Sequence, residues 1–272
     1  VIGDVVLDIN AAQPFLPSSL EEILRRGLLP ELQNLVDNAV EIDKKHFRKL
    51  KELELYPPIT RPSKIICLLL NYEGHAREQN KEPPARPTVF AKAPSALSGP
   101  FDDIIIWPGV DKMDAEAELA VVIGREGRLI GTGEALDYVA GYMLFNDVSA
   151  RRIQRDDRQY FRGKSFDTFA PCGPWLMTPD EVGDPHDLRI TQRLNGEIMQ
   201  EASTSELIST VPEIISHLSA GMTLMPGDII ATGTPAGVGV FRDPPVHLAD
   251  GDIVEIEIEK IGKISSKVRR YE

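Results

Sequence analysis

Cysteine is almost absent. Cys67 and Cys172 are the only two in 272 residues, far apart and without metal-type spacing, which argues against a disulfide framework and a thiolate metal centre. Both read as reduced core thiols. Long apolar runs are also missing: no stretch approaches the roughly 18 to 20 residues of a membrane span. The opening VIGDVVLDIN lacks the basic region of a signal peptide. These absences lead to the expectation of no membrane partner and, by default, a cytoplasmic setting. The chain also begins as though a strand were already under way, so some N-terminal residues are expected to be missing. Positive charge is scarce, with Lys+Arg 30 against Asp+Glu 42 and a net charge of -12. That balance argues against nucleic acid or an anionic lipid surface, which are held by Lys and Arg. An acidic substrate must then be met by local cations. No glycine-rich phosphate loop, internal repeat or low-complexity tract is found.

What is present is the composition of a globular enzyme-sized chain, 42% hydrophobic and 26% charged. Residues 1–60 read as a small N-terminal α/β accessory module. It holds a strand-like VVLDI, a helix SSLEEILRRGLL capped by Ser18 or Ser19, and a second helical pattern from about Pro30 to Leu53. His46 falls on the charged face of that pattern and reads as solvated surface. Pro57, Pro58 and Pro62 then mark a boundary, and residues 61–272 form the second unit. There the pattern turns strand-rich: KIICLLL, PTVFAK, DDIIIWP, AELAVVIG, AGYMLFNDV, LRITQRLNG, DIIATGTP and DIVEIEIEKIG. In the last of these, Val254, Ile256 and Ile258 alternate with Glu255, Glu257 and Glu259, one face buried and the other wet. The clearest helix is TVPEIISHLSAG, with a capping box from Thr210 to Glu213 and a stop at Gly221. His217 within it reads as structural. His186 and His247 lie in loops and receive no role, although His247 could approach a ligand from the TGTPAGVGVF side. The lack of a βαβα rhythm argues against a doubly wound or barrel α/β fold. A mostly β, α+β fold built as a mixed β-sandwich roll is expected.

The stretch DAEAELAVVIG places Glu116 and Glu118 on one strand face, roughly 6 to 7 Å apart. If that face is buried, the two carboxylates repel by roughly 2 to 3 kcal/mol and need a cation between them. If the strand mouth is open to water, they need none. A third carboxylate, Asp147, ends the apolar run GYMLFND. Three carboxylates without His or Cys make a hard, oxygen-only set that suits Mg²⁺, Mn²⁺ or Ca²⁺ and disfavours zinc. Arg151 and Lys164 are positioned to offset the remaining negative charge. A second unusual segment, NYEGHAREQNKEPPARP, is polar and lid-like. It sets His75 and Glu78 at i, i+3, where one helical turn brings imidazole and carboxylate together as a general base requires. Taken alone, such a pair is more often a plain surface contact.

NYxxHAxE, DAEAELAVVIG, NDVSAR, RGKSFDTFAPCGPW, LNGE and DIIATGTPAGVG, in this order and spacing, resemble the fumarylacetoacetate hydrolase family, C-terminal catalytic domain. The match runs from about Lys64 to the end. The resemblance implies a mixed β-sandwich roll, a homodimer, and Mg²⁺ or Mn²⁺ held at Glu116, Glu118 and Asp147. It implies that His75 and Glu78 orient and deprotonate a water from a lid. It further implies that Arg151, Gln154, Lys164 and Thr234 contact a 2-oxo acid substrate, with Lys164 also among the catalytic groups. Each has a plainer alternative: Arg151 or Gln154 as structural partners, Lys164 paired with Asp167, Thr234 holding a turn. Two positions depart from the family pattern, Ala115 where an aromatic is usual and Arg152 where an acidic residue is usual. The implied activity is metal-dependent hydrolysis of a C–C bond in acylpyruvate-type or 2,4-diketo acids, in aromatic or sugar-acid breakdown. The site's alternatives are an oxaloacetate-type decarboxylase or a 2-hydroxy-dienoate isomerase. Outside catalysis, the alternative is a dimeric protein that binds a small anion.

Overall fold

The computed structural model describes residues 1–272 apart from the side chain of Glu41. Two sheets carry the fold. The larger has seven strands in the order Thr88–Lys92, Ile65–Leu69, Ile229–Ala231, Ala117–Ile123, Val139–Asn146, Ala170–Met177 and Leu97–Ser98. It is mixed: strand 229–231 runs parallel to 65–69 on one side and antiparallel to 117–123 on the other. The smaller sheet has five strands, Glu197–Ser203, Arg189–Leu194, Ile253–Ile258, Gly262–Arg270 and Ile104–Ile106. Strand 189–194 lies against 117–123, and 253–258 against 139–146, so the curled larger sheet is covered and the α+β roll closes.

Strands 117–123 and 139–146 are buried at every position. Their sequences explain this: AELAVVI and VAGYMLFN are apolar on both faces, as strands covered on both sides must be. Each fully buried Leu, Val, Met or Phe among them stabilises the fold by roughly 1.5 to 3 kcal/mol relative to exposure. The two strands pair from Ala117↔Asn146 to Ile123↔Val139, so the start of one lies beside the end of the other. That register places Glu116 and Asp147, each one residue beyond its strand, at the same edge. In the smaller sheet Val254, Ile256 and Ile258 are buried while Glu257 and Glu259 are exposed, the alternation the sequence shows. Cys67 and Cys172 are free and buried, as expected of core thiols.

Near the N-terminus, Ser19 caps the helix Leu20–Arg25, accepting the Glu22 N–H at 3.2 Å. The expected long helix from Pro30 to Leu53 is not formed. The helix is Leu29–Asp37, and residues Phe47–Lys49 are a strand paired antiparallel with Val5–Leu7. Strand pairing satisfies the backbone groups that a continued helix would have used, and Asp43 starts a separate turn by accepting the Lys45 N–H at 3.0 Å. His46 therefore sits half-buried in a short 3-10 turn instead of on a charged helix face. Among the described residues no helix is long and apolar enough to cross a membrane.

Candidate active site

Three strand ends and one short helix meet at the head of the larger sheet. Glu116 and Glu118 are buried, and so is Asp147. One oxygen from each lies within 4.8 Å of the others. The open-water alternative for the glutamate pair is thereby removed. Burial without compensation would be prohibitive, and the structure supplies the compensation. Lys164 Nζ donates to Glu116 Oε2 at 2.6 Å and to Asp147 Oδ2. Arg151 pairs with Glu116 Oε1 and reaches Asp114 Oδ2 at 3.3 Å. Lys92 Nζ donates to Asp147 Oδ1 at 2.6 Å and to the Val148 carbonyl at 3.2 Å. Glu118 alone has no cation: its Oε2 accepts the Gly233 N–H at 2.8 Å.

The electrostatics follow from these contacts. Burial pushes the Glu116 carboxyl up, but Arg151 and then Lys164 outweigh it and hold the group below the ordinary carboxylate range. Burial, then the charges of Asp147 and Glu116, push Glu118 well above that range. Lys164 is drawn down by burial and raised further by Asp147 and Glu116, so its net shift is upward. Burial lowers Lys92, against the pull of Asp147. Four buried carboxylates, Asp114, Glu116, Glu118 and Asp147, thus face three cations, Lys92, Arg151 and Lys164. One positive charge is lacking, and it is lacking beside Glu118. An all-oxygen, buried, charge-deficient cluster of this span fits a hard divalent cation. Glu116, Glu118 and Asp147 are the residues that would hold it.

The helix Glu73–Glu78 forms the opposite wall. His75 is buried, its Nδ1 lies 2.6 Å from Glu78 Oε1, and its Nε2 lies 2.8 Å from Gln79 Nε2. Glu78 accepts from Nδ1, which leaves the Nε2 lone pair to accept from the Gln79 amide. The second Glu78 oxygen accepts the Gly237 N–H at 2.9 Å, tying the helix to the TGTPAG loop. That loop needs its glycines. Gly237 has φ +101, and a Cβ there would sit 2.1 Å from the Met199 carbonyl oxygen; Gly233 has φ +100, and its Cβ would meet Asn71 Cβ at 2.9 Å. Asn71 sets the start of the helix by donating to the Thr232 carbonyl at 2.8 Å and accepting from Ser209 N–H at 2.8 Å.

All of this opens into one cavity of about 600 Å³. His75, Glu116, Glu118, Arg151, Gln154, Lys164 and Thr234 line it, so the sequence-derived site residues are brought together; Glu78 and Asp147 stand directly behind. Two details refine the expectations. Lys164 pairs with Glu116 and Asp147 instead of Asp167. Thr234 lines the cavity, yet its hydroxyl donates to the Ala117 carbonyl at 2.9 Å and accepts from Gln200 at 2.8 Å, so its proton is already committed. Gln154 accepts from Arg151 Nη1 at 3.2 Å. His247 also lines the cavity, whereas exposed His217 ends a helix and His186 Nε2 accepts the Val211 N–H at 3.0 Å, capping the same helix.

Lys92, Gln79 and Asp114 escaped the sequence reading. Asp114 had a signal: in DAEAE it stands at i, i+2, i+4 with the two glutamates and shares their face. Its carboxylate accepts from Gly239 and Val240 N–H at 3.2 and 2.9 Å and from Arg151, joining the carboxylate strand to the glycine loop. Lys92 had little signal, a lysine ending an edge strand being commonplace.

The profile described as "Fumarylacetoacetate (FAA) hydrolase C-terminal" matches residues 64–269. This chain belongs to the fumarylacetoacetate hydrolase family. A Bos taurus protein named oxaloacetate tautomerase FAHD2A, mitochondrial, is 45% identical over 98% of this chain and 84% of its own length. The crystal structure of a 2-hydroxyhepta-2,4-diene-1,7-dioate isomerase from Mycobacterium marinum is similar with a TM-score of 0.74 at 39% identity, covering 84% of this chain and 83% of the other. That of a maleylpyruvate hydrolase from Sphingobium sp. SYK-6, in complex with manganese(II) and pyruvate, has a TM-score of 0.82 at 32% identity, covering 100% of this chain and 95% of the other. A carboxylate cluster fitted to a divalent cation, in this family, makes the chain a metal-dependent enzyme. The expectation of a cytoplasmic setting is corrected by the same relatives. The bovine protein and others like it carry "mitochondrial" in their names, and the lack of a leader in a given stretch of chain is no ground for assigning a compartment.

Proposed function

We propose that this family member moves a proton at carbon 3 of a small 2-oxo acid, as a keto–enol tautomerase or double-bond isomerase, with oxaloacetate the first substrate to test. The alternative raised by the sequence thereby moves ahead of C–C hydrolysis. One observation carries the reading: a Glu-oriented imidazole and a carboxylate cluster fitted to a divalent cation share one cavity. Similarity to proteins named as a tautomerase and an isomerase supports it.

A divalent ion held by Glu116, Glu118 and Asp147 would supply Lewis acidity, making the carbon next to a 2-oxo group more acidic. The chain's own groups do the rest. With Arg151 Nε and Nη2 given to Asp114 and Glu116, its Nη1 and the Gln154 amide beside it meet the 2-carboxylate through charge-assisted and neutral hydrogen bonds. Glu78 holds His75 with its Nδ1–H bound, so that Nε2 takes the proton from carbon 3 once Gln79 gives way. Lys164, kept cationic by Asp147 and Glu116, faces the negative charge that develops as the proton leaves. Within the helix Glu73–Glu78, His75 and Ala76 are buried while Glu73 and Arg77 face solvent, so the imidazole is set apart from bulk water. We place the reacting unit in residues 61–272, with residues 1–60 an accessory module, and take the assembly to be a homodimer using Mg²⁺ or Mn²⁺.

Purified protein with Mg²⁺ is expected to accelerate ketonisation of enol-oxaloacetate, followed by loss of enol absorbance, and to lose this with chelator. His75→Ala should lower the rate by about 10² to 10⁴, the usual span for a general base. Cleavage of acetylpyruvate without any effect on enol-oxaloacetate would restore hydrolysis as the main reading.

A further inference from the structure

The cavity is more basic than the chemistry of its inner end requires. In a chain of net charge -12, Lys112, Arg155 and Arg158 also line it, beyond the arginine and lysine that balance the carboxylates. Among the described residues Lys112 and Arg158 have no side-chain ion pair, and Arg155 has only its sequence neighbour Asp156 at 3.4 Å, on the exposed side. Arg152, by contrast, is spent on Asp111 at 2.7 Å and on the Gly109 carbonyl at 2.9 Å. The positive charge added by this departure from the family pattern is therefore partly cancelled, whereas that of the other three is available.

Their placement has a direction. Arg151 and Arg155 are four apart on the helix Arg151–Asp156, so they share a face with Cβ atoms roughly 5 to 6 Å apart. Arg158 follows three residues later, just past the helix end. The series starts at Arg151, beside the carboxylate cluster, and grows more exposed along the chain: the side chain of Arg151 is 12% exposed, that of Arg155 70%, and Arg158 is exposed as well. Lys112 joins it from the neighbouring loop, its carbonyl accepting the Arg151 N–H at 3.1 Å.

A second observation is independent of charge. Lys112 and Arg158 both hold left-handed backbone, φ 49 and φ 56. Neither is glycine or asparagine, the residues that adopt this conformation readily. Such a conformation costs on the order of 1 kcal/mol or more per residue; of the three cations that hold it, Lys112, Arg158 and Lys260, the first two line this cavity. Two long cations on strained backbone, opening into one cavity without partners, make a receptor for an anion.

We propose that Lys112, Arg155 and Arg158 form a distal anion subsite that reads the second carboxylate of a 2-oxo dicarboxylic acid, making the enzyme selective for diacids over monoacids of equal length. The proposal rests on the reading that the inner end handles a 2-oxo acid. The 2-oxo carboxylate is gripped by Arg151, and the far carboxylate is gripped one helical turn or more outward.

The test uses a matched pair, 2-oxoadipate and 2-oxohexanoate, which share a six-carbon chain and differ in the far carboxylate. Exchange of the carbon-3 hydrogens for deuterium in D₂O, followed by proton NMR with Mg²⁺, reports enolisation of either acid without presuming the natural product. Wild-type protein is expected to favour the diacid by about tenfold or more in kcat/KM, the equivalent of one charge-assisted contact. The triple variant Lys112→Asn, Arg155→Gln, Arg158→Asn removes the charges while keeping residues suited to left-handed backbone. It should bring the ratio close to one, mainly through a higher KM for the diacid, and added salt should narrow the wild-type ratio. A wild-type ratio near one, or a parallel loss on both acids with the ratio kept, overturns the subsite. Calorimetric binding of the same two acids separates the two levels of the proposal. Selective binding of the diacid without exchange on either acid would sink the proton-transfer reading and leave the subsite standing.

Discussion

Two segments of this chain carry the same written pattern and meet opposite fates. DAEAEL, Asp114 to Leu119, and VEIEIE, Val254 to Glu259, each place acids at every second position of a strand. In the first, Asp114, Glu116 and Glu118 are buried, and three cations converge on that cluster and its neighbour Asp147. In the second, Glu257 and Glu259 face water and Glu255 pairs at the surface with Lys263. Alternation fixes which residues share a face, but the tertiary fold decides whether the face is covered. The intervening residues differ too: Ala115 and Ala117 are small and buried, whereas Val254, Ile256 and Ile258 turn their bulk to the core.

The sharpest way to break this contrast is to remove a buried counter-charge. Lys92→Met strips one Asp147 oxygen of its partner with both groups fully buried, and should destabilise the protein by about 3 to 5 kcal/mol in urea unfolding. The double variant Lys92→Met, Asp147→Asn should recover part of that loss; a single variant as stable as wild type would show the buried pair to be idle. Next in size, Glu118→Gln should weaken Mn²⁺ binding at least about 100-fold by calorimetry, because it removes the one carboxylate lacking a cation. The matching exposed change, Glu257→Gln, should alter stability by less than about 0.5 kcal/mol and leave Mn²⁺ binding untouched. Equal responses from Glu118 and Glu257 would erase the distinction between the strands.

The smallest expected effect concerns a third acid, buried near the N-terminus. Glu21 accepts from Arg61 N–H and Thr60 Oγ1, each at 2.9 Å, tying the first helices to the start of the larger sheet. Burial raises its carboxyl, and the surrounding backbone N–H groups lower it further than that, so the folded value lies below the unfolded one. Such a group stabilises the fold above the ordinary carboxylate range, and the contribution is lost as pH falls through the folded value. Thermal melts of wild type and Glu21→Gln should therefore differ at neutral pH and converge in acid. Curves that stay parallel across the whole range would remove Glu21 from the account.

Much of the site was legible because its residues are chemically costly where they stand. A strand opening with two glutamates, a run ending in Asp147 and a His75–Glu78 pair at one helical turn are all visible as text. The eight strands read from apolar runs are present in the fold. Strand Glu197–Ser203 is less visible, since EIMQEAS is largely polar and is held by pairing with 189–194 across a bulge at Gln192/Arg193. The false helix past Asp37 arose because KKHFRKLKEL has helical periodicity, while the deciding contact, with Val5–Leu7, lies some forty residues away in sequence. Lys92 stayed hidden for a similar reason: its meaning depends entirely on Asp147, fifty-five residues on.

The two oxygens of Glu78 answer to different masters, one to the imidazole and one to the backbone of Gly237. Because both contacts belong to one carboxylate, a change in the glycine loop is felt at the ring: losing the Gly237 N–H would free Glu78 to turn and slacken its hold on Nδ1. The orientation of the imidazole is thus set in part by the backbone of a loop more than 150 residues on, relayed through a single side chain.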